Sequence, residues 1–155
     1  MFALLKWLHL IALIVWVGEI VFFSFVGAPA IFRNLPTEEA GRAVGAIFPL
    51  YYRVGYGCGG VLVLSAACFA LTGGMRAWWS LGTLLAVVML ALTAYAGLSV
   101  APRATQLRPQ LHVAAPDPAV KAEFDQLHHT AVVLNGIALL CGLGVTVVAA
   151  ASLRP

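Results

Sequence analysis

The sequence predicts an all-α, polytopic membrane protein: a four-helix antiparallel transmembrane bundle with helices two and four extended on the cytoplasmic side. Three observations predict it. The 155 residues are 62% hydrophobic and only 10% charged, whereas soluble domains average about 25% charged residues. Mean hydropathy is +0.96, which leaves too little polar surface for a chain surrounded by water. The apolar residues also gather into four stretches, near 2–26, 51–71, 78–98 and 131–151. Each is long enough to cross a bilayer, which takes about 20 helical residues. Disordered, collagenous and disulfide-based chains are excluded by composition, and no segment alternates with the ~10-residue rhythm of a transmembrane β-barrel. A single domain over 1–155 accounts for the length.

The first stretch carries Lys6 and lacks a small-residue cleavage site ahead of a polar mature region. It therefore reads as a retained helix rather than a signal peptide. The second span is entered through Pro36-Thr37-Glu38-Glu39, with Thr37 as cap and acids in the first turn. That helix is expected to run through Pro49 with a kink. Gly73-Gly74-Met75-Arg76 reads as a tight turn that makes spans two and three a hairpin. Arg108 to Pro116, rich in proline, reads as a loop, and Asp117-Pro118 as cap and first residue of the last helix. Trp7, Trp78 and Trp79 stand where an aromatic belt belongs. Gly55, Gly57, Gly59 and Gly60 suggest close helix approach. No internal repeat is legible.

Lys and Arg near the span ends set the expected orientation. Arg33, Arg42, Arg53, Arg103, Arg108 and Lys121 flank one side, against Lys6, Arg76 and Arg154 on the other. The bias places both long connections in the cytoplasm and both termini outside, as in a bacterial inner membrane. Cys58, Cys68 and Cys141 lie in apolar runs and read as small hydrophobes. No phosphate loop, nucleophile elbow or basic aromatic stripe is present, so no nucleic-acid partner is expected. The expected partners are the lipid bilayer and either further copies of the chain or a larger membrane complex.

Candidate site residues are the polar groups that a membrane span should exclude. Glu19 is the one carboxylate inside a span, and such a group usually faces a bundle interior or a pathway. At ~1.5 Å per residue, Glu19, Tyr56, Tyr95 and Asn135 all fall about 25–27 Å below the outer surface. Arg53 and His128 follow one or two turns nearer the cytoplasm. Glu19, Arg53, Tyr56, Tyr95, His128 and Asn135 thus form the candidate binding site. Glu19 is expected to pair with Arg53 or to bond Tyr56, Tyr95 or Asn135. His128 and Asn135 share a helix face, which turns His128 rather than His129 inward. For a soft metal or a haem, His9 and His128 are the candidate ligands, at separate sites because roughly 24 Å divides them along the membrane normal. The rival reading of His9, which shares a face with Trp16, is a bonded core histidine.

Several of these residues also carry a resemblance. His9-Leu10, Trp16-Val17-Gly18, Phe22-Phe23 and Ala28-Pro29-Ala30-Ile31-Phe32 resemble the first helix of the transmembrane protein 205-like family, also catalogued as domain of unknown function 4149. Ala40-Gly41-Arg42 through Phe48-Pro49-Leu50-Tyr51-Tyr52 resembles the approach to that family's second helix. Phe124-Asp125-Gln126-Leu127-His128 with Asn135 resembles its last-helix signature. Two positions depart from the pattern: Ala131, where a small hydroxyl residue is common, and Glu19, where a small residue is common. The resemblance implies a four-helix membrane protein with eukaryotic relatives linked to platinum-drug resistance and secretion, and no agreed activity. The first helix alone also resembles the copper-resistance-D and membrane protoporphyrinogen-oxidase families.

Three function classes are compatible with this reading. The leading one is transport or binding of a metal ion or small solute through the bundle. The others are a haem-binding membrane redox protein and an accessory or structural subunit of a larger membrane complex.

Overall fold

The computed structural model of the chain describes residues 2–72, 75–112 and 117–152. The expected Gly73-Gly74 turn and Arg154 lie outside these residues. Four helices are long and apolar enough to cross a membrane: α1 (Phe2–Asn34), α2 (Thr37–Thr72), α3 (Arg76–Leu111) and α4 (Pro118–Ser152). No strand occurs among the described residues. The helices alternate in direction. They form a ring in which α1 packs on α2 and α4, and α3 packs on the same two helices from the far side. Leu64, Leu71, Leu98 and Ile14 are each about seven-tenths exposed on the outside, an apolar surface that only lipid would cover.

All four helices extend beyond the bilayer length at one end. Helices two and four do so as the sequence predicts. Helices one and three, expected to stop near 26 and 98, also continue. Each passes through one π-helical stretch, Phe23–Gly27 in α1 and Ala96–Val100 in α3, and resumes as α-helix over Ala28–Asn34 and Ala101–Leu107. Proline explains both. A proline in a helix has no N–H to give and its ring collides with the carbonyl four residues back. Ahead of Pro29 the Ala28 N–H reaches back to the Phe23 carbonyl, and ahead of Pro102 the Ala101 N–H reaches the Ala96 carbonyl. Each wide turn absorbs the collision, and the helix goes on. The proline-rich segment after Leu107 was expected to be loop; Arg108–His112 is instead a 3₁₀ turn closing α3, and 113–116 lie outside the described residues. At the start of α4 the Asp117 carboxylate accepts from the Ala119 N–H at 2.8 Å, the cap that the sequence predicts.

The two π-stretches stand at a constant offset of 73 residues, and so do the Ala28-Pro29 and Ala101-Pro102 pairs and Pro36 and Pro109. The same offset relates buried His9, Leu13, Trp16 and Ile20 of α1 to buried Gly82, Ala86, Met89 and Thr93 of α3. An offset of 83 relates Gly55, Gly59, Leu62, Ser65 and Ala66 of α2 to Ala138, Gly142, Val145, Val148 and Ala149 of α4. The chain is thus two like hairpins, a repeat in burial that the residue identities conceal.

Small residues bring the hairpins together. Trp16 is fully buried and lies across Gly55 and Gly59 of α2, while Met89 lies against Gly142 of α4. A Cβ at Gly59 would sit 2.7 Å from Leu90 Cδ1 and 2.9 Å from Trp16 Cη2, closer than carbon atoms pack. The face predicted by the glycine cluster is therefore selective, since a Cβ at Gly57 meets nothing within 4 Å. Gly59→Ala is expected to destabilise the protein by about 1–3 kcal/mol, as overpacking does. Gly57→Ala should leave thermal unfolding in detergent unchanged.

Candidate functional site

Toward the extended end, the four helices enclose a crevice of about 750 Å³, in the size range of small-molecule sites. Its walls are mainly apolar. Phe23, Phe48, Tyr51 and Tyr52 pack against one another, mostly edge-on, with ring centroids 5.4–6.2 Å apart, and Phe32, Leu92, Leu111 and Leu134 add to the lining. Both π-stretches contribute, through Phe23 and Ser24 on one side and Ala96 on the other.

Three side chains from three helices form a polar chain within this lining. Tyr51 Oη donates to Asn135 Oδ1 at 2.6 Å, and Asn135 Nδ2 donates to Ser24 Oγ at 2.9 Å. Tyr51 is buried, and Asn135 and Ser24 are half-buried. The chain links α2, α4 and α1, so each group is satisfied where lipid could not satisfy it. On α3, Thr93 also lines the crevice and donates its hydroxyl to the Met89 carbonyl at 2.9 Å.

Arg108 is the cation of the crevice lining. Its Nη1 donates to the Gly41 carbonyl, and a Cβ at Gly45 would sit 2.7 Å from the same nitrogen. Gly45, one turn from Gly41 on α2, thus lets the guanidinium lie close against that helix. Among the described residues the one ion pair is Arg103 Nε to Glu123 Oε1 at 2.6 Å, on the exposed surface. Arg108 keeps most of its donors for whatever enters. Glu38, Asp125 and His128 also border the crevice, all exposed.

The predicted site residues divide. His128 and Asn135 line the crevice. Arg53 does not reach Glu19. It is exposed and returns Nε to the Pro49 carbonyl of its own helix at 3.1 Å. Tyr51 and Gly55 are buried positions of α2, and a residue two places from either points to the opposite side of the helix. Tyr95 is 56% exposed and faces outward. Tyr56 Oη is buried without a partner, over Gly97 of α3. Glu19 is half-buried, and its Oε2 is enclosed with no hydrogen-bond partner among the described residues. The expected bonds from Glu19 to Arg53, Tyr56, Tyr95 and Asn135 therefore do not form; Asn135 spends its amide on Tyr51 and Ser24. Ser24, Tyr51 and Arg108 are the residues that the sequence reading missed. The proline pattern that makes the π-turn and the Gly41/Gly45 spacing were the available signals.

His9 belongs to the other end of the bundle. It is 1% exposed, and its Nδ1–H donates to Ser65 Oγ at 2.7 Å, while Ser65 passes its own proton to the Val61 carbonyl at 2.5 Å. Phe69 and Trp79 close on the ring edge-on, at 6.0 and 5.4 Å. Trp79 is thus buried in the core, not part of the interfacial belt that the sequence suggested; Trp7 and Trp78 remain exposed. The void beside His9 holds about 10 Å³, room for one water and far too little for a haem. Among the described residues no three His, Cys, Asp or Glu come together as a metal site.

Residues 11–113 match the family model described as Domain of unknown function (DUF4149). The chain belongs to the DUF4149 family. No curated protein and no solved structure matches it. In this DUF4149 protein the matched segment takes in both π-stretches, Glu19, Tyr51 and Arg108, while the Phe124, His128 and Asn135 signature lies beyond it.

Removing Asn135 tests the polar chain. Asn135→Leu leaves Tyr51 and Ser24 unpaired in the bundle and is expected to cost about 1–2 kcal/mol, the scale of interhelical hydrogen bonds in membranes. Unfolding in mixed detergent micelles measures it, and Tyr51→Phe should cost less because it leaves only Asn135 Oδ1 without its donor.

Proposed function

We propose that this DUF4149 protein binds a small amphiphile in the crevice, with its apolar part along the aromatic wall and an anionic head group at Arg108. The observation that carries this reading is the combination of a deep apolar cavity with one seated, unpaired guanidinium. Arg is suited to the task because its planar fork meets a carboxylate or a phosphate with two parallel bonds. The Tyr51–Asn135–Ser24 chain supports a fixed shape for the floor. A metal ion as cargo lacks a comparable donor set among the described residues, so the solute branch of the transport-or-binding reading is the one the geometry favours.

The test uses matched twelve-carbon probes on the protein in lipid nanodiscs, with empty nanodiscs subtracted. Laurate and dodecyl phosphate are expected to bind at least about tenfold more tightly than dodecanol or dodecyltrimethylammonium, a difference of about 1.4 kcal/mol. Arg108→Gln should erase that preference, and Ala131→Trp, which fills the crevice, should abolish binding of all four. Equal binding of the four probes by the unaltered protein would remove the head-group assignment.

Orientation follows from the charge bias. Five arginines and Lys121 cluster toward the extended end, and we assign that end to the cytoplasm, with both termini outside. A cysteine introduced as His112→Cys is expected to escape an impermeant maleimide in sealed cells and to react once the membrane is opened.

A further inference from the structure

Glu19 lies one helical turn before Phe23 and Ser24, where the crevice begins, yet it takes no part in the crevice lining. Its Oε2 is enclosed with no hydrogen-bond partner, and no described cation pairs with it. The Tyr51 hydroxyl and the Cys58 thiol, both on α2, are titratable groups near its charge. Neither supplies positive charge. The stretches that pass through the membrane alongside it, 54–72 of α2, 77–102 of α3 and 130–152 of α4, contain no Lys, Arg, His, Asp or Glu. Arg53 is turned to the outside.

An ionised carboxylate so placed holds one oxygen away from water with no described counter-charge beside it, and such a group neutralises itself instead. We propose that Glu19 is a membrane-embedded proton-binding site. Its carboxylate takes up one proton from water, passes from charge −1 to neutral, and returns the proton to water; no other bond is made or broken. The acid form places an O–H where the structure leaves an oxygen unmet. The site is independent of which molecule the crevice takes.

Dicyclohexylcarbodiimide is the probe, because it adds to a protonated carboxyl in an apolar setting and leaves ionised, water-exposed carboxylates alone. The whole protein in liposomes is treated at about pH 6 and about pH 9, well above the ordinary glutamate range near 4.3, then mapped by peptide mass spectrometry. The expected result is label on the peptide containing Glu19 at the lower pH, at least about tenfold less at the higher pH, and none on Glu38, Glu39, Asp117, Glu123 or Asp125. Glu19→Asp should keep the label and Glu19→Gln lose it. The peptide map of the unaltered protein identifies the residue even if a variant does not fold. Absence of label on Glu19 at the lower pH, equal label at both values, or suppression by sodium at constant pH would each overturn the proposal.

Discussion

Inside a bilayer a helix cannot hand a broken backbone bond to water, and every carbonyl that loses its partner must find another within protein. Pro29 and Pro102 therefore govern the extended end of this molecule. Each deprives a carbonyl of its donor, and each is preceded by a stretch in which the N–H groups reach one residue further back. The helices are not broken and can carry side chains beyond the membrane core. Because the wide turns fall at equivalent places in the two hairpins, Ser24 and Phe23 come to one side of the crevice and Ala96 to the other. The ligand-sized space depends on this arrangement more than on any single contact.

The two ends of the bundle use polarity in opposite ways. At the end holding His9, a histidine, a serine and two aromatic rings close on one another and leave space for little more than a water. At the other end a comparable number of polar groups, Tyr51, Asn135 and Ser24, is arranged around a large cavity. Core packing between them is continuous from Ala12 and Trp16 to Val145 and Ala149. Among the described residues the molecule is therefore close-packed toward one end and holds its large cavity toward the other.

Hydropathy made the class and the four spans legible, because twenty apolar residues in a row have few other uses. Local chemistry made the Asp117-Pro118 start legible as well. The inward face of α2 was harder. Arg53 and Tyr51 are neighbours in sequence, and depth alone ranks them together, but a helix separates them by most of a half-turn. Depth thus found the level of the site without finding its members. Trp79 resembled its neighbour Trp78 for the same reason. The internal repeat stayed hidden because it conserves burial rather than chemistry: His9 corresponds to Gly82 and Trp16 to Met89. Arg108 was read as loop because its seat, two glycines 63 and 67 residues away, is visible only once α2 and α3 are side by side.

A π-stretch contains one residue more than the α-helix it interrupts. Everything on its far side is consequently turned back by about 100° and drawn back by about 1.5 Å relative to an uninterrupted helix of the same sequence. In α1 the far side is Ala28 to Asn34, whose Pro29 and Phe32 line the crevice. Loss of a single residue between Phe23 and Gly27 would leave the span intact and its apolar length nearly unchanged. It would also leave that wall of the crevice facing the interior, because the shortened turn is an ordinary α-helical one, whereas winding the full-length stretch as α-helix would swing it out toward the surrounding lipid. Insertions and deletions of one residue are usually tolerated in loops and harmful in membrane helices; here the wide turn carries one extra residue without changing which side chains the bundle presents to its interior.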